Sequence, residues 1–104
     1  MKTLLTVEAI YDIADIADYI EDTFGSDRAV RFEVDLEGRL ERLEDYEHAD
    51  TGIRYNGYII FKDVFSPSLI FFVVIDDVIH VLRVLREERD WRRLLERKQR
   101  YDYL

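Results

Sequence analysis

The chain contains no cysteine, which excludes disulfides and every reaction that needs a thiolate. It has two histidines, His48 and His80, far apart and without the spacing of a ligand pair, so no metal site is expected and no cofactor is implied. Long apolar runs are also missing. The longest, residues 69–75, is far too short to cross a bilayer, and the N-terminal residues hold no long uncharged apolar stretch of the kind that directs export. A soluble, cytoplasmic protein with no membrane contact is predicted. The 104 residues, 48% of them apolar, suit a single domain over 1–104 with one core.

Charge is abundant and unevenly placed. Of the net −8, residues 1–82 carry seven bases against eighteen acids, a balance of −11, whereas residues 83–100 carry seven Arg and one Lys against four acids, a balance of +4. An acidic molecule repels bare nucleic acid, because phosphate binding depends on several neutralising cations, so direct DNA binding is not expected. A basic segment at one end can still hold a phosphate or an acidic peptide. Arg83, Arg86, Arg89 and Arg93 are therefore the candidate target- or anion-binding residues. For Arg92, Arg93, Arg97, Lys98 and Arg100 the competing reading is the solvated face of an amphipathic helix.

Periodicity predicts the order of elements. Residues 2–6 read as a brief strand, and Thr6 can cap a helix starting near Val7. Ile10, Ile13, Ala17, Ile20 and Phe24 step by three and four, leaving Asp12, Asp15, Asp18, Glu21 and Asp22 on the wetter side. Gly25 ends that helix and Ser26 offers a second cap. Ala29, Phe32, Leu36, Leu40 and Leu43 form the next stripe, with Asp27 to Arg31 and Asp35 to Arg39 in the favourable four-residue order. The two helices make an antiparallel hairpin. Residues 47–57 lose periodicity and hold Asp50-Thr51-Gly52 and Asn56-Gly57, so a loop is predicted there. Residues 58–65, 69–75 and 78–85 are rich in Ile, Val, Phe and Tyr and are separated by Ser66-Pro67-Ser68 and Asp76-Asp77, which predicts three sequential antiparallel strands. The middle run is apolar on both faces, as a central strand covered on both sides would be. A last helix over 87–100 is the second cover, with Trp91, Leu94 and Leu95 as anchors. Trp91 is expected to fasten this helix to the sheet at about 3 to 5 kcal/mol.

This order, together with Tyr19-Ile20 closing the first helix, Phe24-Gly25 followed by Ala29 and Phe32, Ile70-Phe71-Phe72, and Arg83-Val84-Leu85 leading into Arg89-Asp90-Trp91, resembles the RelE/ParE superfamily of toxins from type II toxin-antitoxin modules. The likeness spans nearly the whole chain and is strongest to the ParE-like branch with its long helical hairpin. It implies an α+β fold with the N-terminal strand, the helical hairpin, a three-stranded antiparallel meander joining the first strand in one sheet, and a C-terminal helix. It further implies a toxin that arrests growth, acts on DNA gyrase or on ribosome-bound messenger RNA, and is neutralised by a cognate antitoxin in a hetero-oligomer. The apolar strands and hairpin exceed what so small a chain can cover alone. An amphipathic antitoxin segment is expected there, its cations meeting Asp15, Asp18 and Asp22.

Residue chemistry chooses between the two targets. Metal-free RNA cleavage needs a base, cations for the crowded phosphate and an acid for the leaving oxygen. Arg83 matches the family's strand arginine and is the best phosphate contact, so Arg83 and Arg86 are the catalytic candidates. Where the nuclease branch commonly places a His or Tyr shortly after that arginine, this chain has Arg86 and Glu87. Strand alternation puts Arg83 on the face of Ile79, Val81 and Leu85, and His80 and Arg86 on the other. His80 reads as a half-buried sheet residue, Tyr101 and Tyr103 as late-chain groups poorly placed for proton transfer, Arg54 as an exposed turn residue, and Lys62 as an edge-strand lysine. The expected mode of action is protein-protein contact with gyrase, with the endonuclease and a non-toxic binding module as alternatives.

Overall fold

The computed structural model describes residues 1–97 and 100–104. Strand β1 (Lys2–Leu5) leads into α1 (Val7–Phe24) and α2 (Ser26–Glu41), a single 3₁₀ turn (Leu43–Asp45) follows, and then come β2 (Ala49–Tyr55), β3 (Tyr58–Phe65), β4 (Ser68–Ile75), β5 (Val78–Arg86) and α3 (Trp91–Arg97). The architecture is α+β, with the strands in one sheet of order β1-β5-β4-β3-β2. β1 runs parallel to β5 and every other pair is antiparallel.

Local chemistry fixes the joints. Thr6 caps α1 by accepting from the Ala9 N–H at 3.0 Å, and its hydroxyl donates to the Leu82 carbonyl at 2.8 Å, so one side chain starts the helix and pins it to β5. Gly25, at φ +96°, adopts a backbone shape that L side chains resist and serves as the cap of both helices. Ser26 is thus the first residue of α2 and not its cap. The Asp35 to Arg39 pairing expected along α2 is not formed. Arg39 instead turns inward to Asp63, Nε to Oδ2 at 2.9 Å and Nη2 to Oδ1 at 3.2 Å, with its guanidinium over the Tyr46 ring. Asp63 is buried, and a buried carboxylate demands a cation far more strongly than a solvated helix neighbour does.

The sheet is covered on both faces, as the apolar character of β4 requires. Ile70, Phe72, Ile79, Val81 and Val84 pack beneath Ala9, Ile16, Ala17 and Ile20 of α1 and Ala29, Phe32, Leu36 and Leu40 of α2. Phe24, placed by periodicity on the apolar side, is exposed under the Arg28 guanidinium. On the other face Ile53, Leu69, Phe71, Val73, Leu82 and Leu85 meet Leu95 and Tyr101.

Two elements differ from the sequence expectation. Residues 47–57 are not a loop: β2 forms there and pairs with β3, so β3 is interior and Lys62 is no edge-strand lysine. The last helix begins at Trp91, not at residue 87, because residues 87–90 make the turn that leaves β5. It is described to Arg97, and Lys98 lies outside the described residues. Among the described residues, no helix is long and apolar enough to cross a membrane and no group of three or more His, Asp or Glu could hold a metal ion.

Candidate functional site

β1 accompanies β5 only from Val78 to Val81, because Thr6 then turns the chain into α1. Beyond that point the outer edge of β5 has no strand beside it and faces α1. Asp12 takes the strand's place. Its Oδ2 accepts from the Val84 N–H at 3.1 Å and from Arg83 Nε at 2.7 Å, and its Oδ1 accepts from Arg83 Nη2 at 2.9 Å. The pair is largely shielded, with Arg83 and Asp12 side chains 17% and 11% exposed. The Asp12 hydrogen bond raises the Arg83 pKa above its ordinary value despite the opposing effect of desolvation. Arg83 is therefore a permanent cation, but its fork is filled by a carboxylate, the partner for which a planar guanidinium is best suited.

A bulge alters which way the following side chains point. Phe72 pairs with Val81 while its neighbour Phe71 pairs with Arg83, so Leu82 is the extra residue. Ile79, Val81 and Val84 consequently face the helical hairpin and Leu82 and Leu85 the opposite side. Leu85 does not share a face with Val81, and Arg86 comes to the helix side. Arg83 and Arg86 both reach α1, one at Asp12 and the other at Tyr19, where the Arg86 guanidinium lies 4.0 Å from the ring centroid. Arg86 Nε also meets Glu88 Oε1 at 2.9 Å. Alternation still separates the two arginines: Arg83, paired with Phe71 of the opposite face, reaches Asp12 past the open edge of β5, while Arg86 lies on the helix side.

Asp12, Asp15, Tyr19, Arg86 and Arg89 line a cleft of about 170 Å³ between α1 and the turn after β5. Arg89 also borders a second, shallower concavity shared with Asp90, Arg93, Leu94 and Arg97. A cationic path thus runs from the cleft along the outer side of α3. Asp15, Asp18 and Asp22 are exposed along α1, and of these Asp15 alone also lines the cleft, so acidic and basic surfaces meet there. Arg92 is turned away, donating to the Thr51 carbonyl at 3.1 Å.

The remaining candidates lie elsewhere. His80 contacts Tyr103 Oη at 2.8 Å through Nδ1, and burial lowers its pKa. Burial also raises Tyr103 and pushes Tyr101 up to about 12, so neither phenol loses its proton near neutrality. Arg54 belongs to β2 and pairs with Asp50 at 3.2 Å, and Lys62 sits 5.0 Å from the Trp91 ring centroid. Trp91 itself stacks 5.2 Å from Phe71 but is only half-buried, while Leu95 is fully buried. Sequence reasoning missed Asp12 and Tyr19 as parts of the site. The available signal was the helical spacing of Asp12, Asp15 and Tyr19, which places all three toward one side of α1.

Carboxylates, guanidiniums and a phenol give the cleft the means for ionic and cation-π recognition. Residues 4–91 match the family described as ParE toxin of type II toxin-antitoxin system, parDE. Among solved structures, the fold is similar to one titled "Chromosomal ParDE TA system from P. aeruginosa", with a TM-score of 0.69 and 22% identity over 85% of this chain and 97% of that one. No curated protein matches the chain.

Proposed function

We propose, from the premise that the chain belongs to the ParE toxin family of type II toxin-antitoxin systems, that it arrests growth by binding DNA gyrase in the cytoplasm and is neutralised by a cognate antitoxin. The observation that carries this reading is the bidentate Asp12–Arg83 pair. It occupies the arginine best placed for a scissile phosphate, so Arg83 positions the end of β5 and does not touch a substrate. Arg86, Arg89 and Arg93 then present cations to an acidic partner, where complementary charge governs specificity and encounter rate. The acids Asp15, Asp18 and Asp22 face the antitoxin, and the relative titled as a ParDE system supports such a partner.

Induction in cells tests the target. Filamentation and the DNA-damage response are expected, and the combined change Arg86→Glu, Arg89→Glu and Arg93→Glu abolishes both. Purified protein added to programmed ribosomes leaves messenger RNA intact. Codon-specific cuts that vanish in Arg83→Ala overturn the proposal in favour of a ribosome-dependent endonuclease.

A further inference from the structure

The outward face of α2 carries two apolar side chains that nothing in the chain covers. Val30 and Val34 are 60% and 61% exposed and lie one turn apart, on the side away from the buried Ala29, Phe32 and Leu36. Arg31 and Asp35 stand beside them, also one turn apart and exposed, and with Asp27 they line an open concavity on this face. Asp35 could have been answered by Arg39, but Arg39 is drawn inward to Asp63. Among the described residues neither Arg31 nor Asp35 has an ion-pair partner. One turn beyond Val34 the stripe continues at Gly38, where an added Cβ would meet nothing within 4 Å. The chain's own packing therefore does not require glycine there, although glycine weakens a helix relative to alanine. Its effect is to let another helix approach closely.

We propose that this face of α2 binds the same face of a second copy of the chain, as an antiparallel helix pair about a two-fold axis level with Glu33, one residue from Val34. In such a contact one patch meets itself, so residues on either side of the axis exchange places. Arg31 of one copy falls against Asp35 of the other, the same pair repeats in the opposite sense, and Val34 meets its counterpart beside the axis. The occupant follows from the order of charges. A base and an acid one turn apart are jointly satisfied by an antiparallel copy, whereas a wholly basic or wholly acidic helix answers one and opposes the other. Contact over about two helical turns is smaller than the roughly 1,000 Å² of a stable interface, and each copy carries −8. Association is therefore transient and concentration-dependent.

Sedimentation velocity of the free full-length chain, from about 10 µM to about 1 mM, reads the proposal directly. The expected result is a shift from monomer toward dimer across that range. Arg31→Asp opposes like charges twice and removes the shift, as does Asp35→Arg, and the double swap restores it. Unchanged melting temperatures show that the variants are folded, since both positions are exposed. A parent chain that stays monomeric, a single variant that dimerises like the parent, or a double swap that fails to restore association overturns the proposal. So does a monomeric parent whose Val34→Lys variant releases the neighbour-encoded protein, because the face then belongs to that partner.

Discussion

Asp12 serves one backbone and one side-chain task with a single carboxylate. It closes the open edge of β5 by accepting from Val84 and holds Arg83 in a two-point contact. Removing it leaves a shielded guanidinium and a strand N–H without partners, and stranding one member of such a pair costs far more than the net worth of the pair. Asp12→Ala is expected to destabilise the fold by about 3 kcal/mol, read by denaturant unfolding, and Asp12→Asn by less because the amide oxygen still accepts. Equal stability of Asp12→Ala and the parent chain would show that the pair is ornamental. Tyr101 gives a pH-dependent counterpart. Its pKa of about 12, against an ordinary 10.0, is raised chiefly by burial, so the fold favours the neutral phenol. The contribution is complete below pH 10.0 and is lost as pH rises toward about 12, amounting to roughly 2 to 3 kcal/mol. Unfolding measured across that window should show the loss in the parent chain and a smaller one in Tyr101→Phe, where Tyr103, also raised by burial, remains. A parent curve that stays flat to the upper end of the window refutes the assignment.

At the scale of elements, the hairpin helices and β3 to β5 were legible because each carries a periodic apolar stripe longer than its interruptions. β2 was not, for a physical reason that can be named. Its inward positions are Thr51 and Ile53 with Tyr55 half-buried, an alternation of correct period but with a polar first member. Gly52, at φ +81°, bulges the strand and breaks its register with β3. Asn56-Gly57, both at positive φ, form the tight two-residue turn of the β2-β3 hairpin; read without the strand before it, that dipeptide marks only the end of a loop. The bulge at Leu82 was equally silent, since nothing in Val81-Leu82-Arg83 distinguishes an extra residue from ordinary alternation, and it decides the direction of Arg86. α3 illustrates a milder shift. Asp90, whose carbonyl and side chain accept from Leu94 and Arg93, starts the helix at Trp91, which places the indole at the margin and Leu95 in the centre. Leu95→Ala should therefore cost about 2 to 5 kcal/mol and Trp91→Ala about 2 kcal/mol, less than a fully buried aromatic would. Thermal unfolding of the two variants checks the order, and a larger loss for Trp91→Ala restores the indole as the principal anchor.

Over the whole molecule the charges are segregated, and the fold brings their boundary into one cleft. Composition alone showed the −11 and +4 segments. It could not show that Asp15 of the acidic helix and Arg89 of the basic turn line the same wall, because more than seventy positions separate them in sequence. The juxtaposition bears on the proposed neutralisation. Asp15, Asp18 and Asp22 are exposed and form no ion pair among the described residues, so a basic antitoxin segment laid along α1 would meet three uncommitted carboxylates and end beside Arg89. Exposed pairs contribute little singly and are screened within about 8 Å at physiological salt, but three in a row set both encounter rate and register. Changing all three to Asn is expected to weaken the proposed complex with a cognate antitoxin about tenfold or more and to flatten its dependence on salt, with little change in melting temperature because none of the three is packed. Titration calorimetry at low and high ionic strength measures both quantities. If affinity and salt dependence match the parent chain, the antitoxin does not use this face of α1.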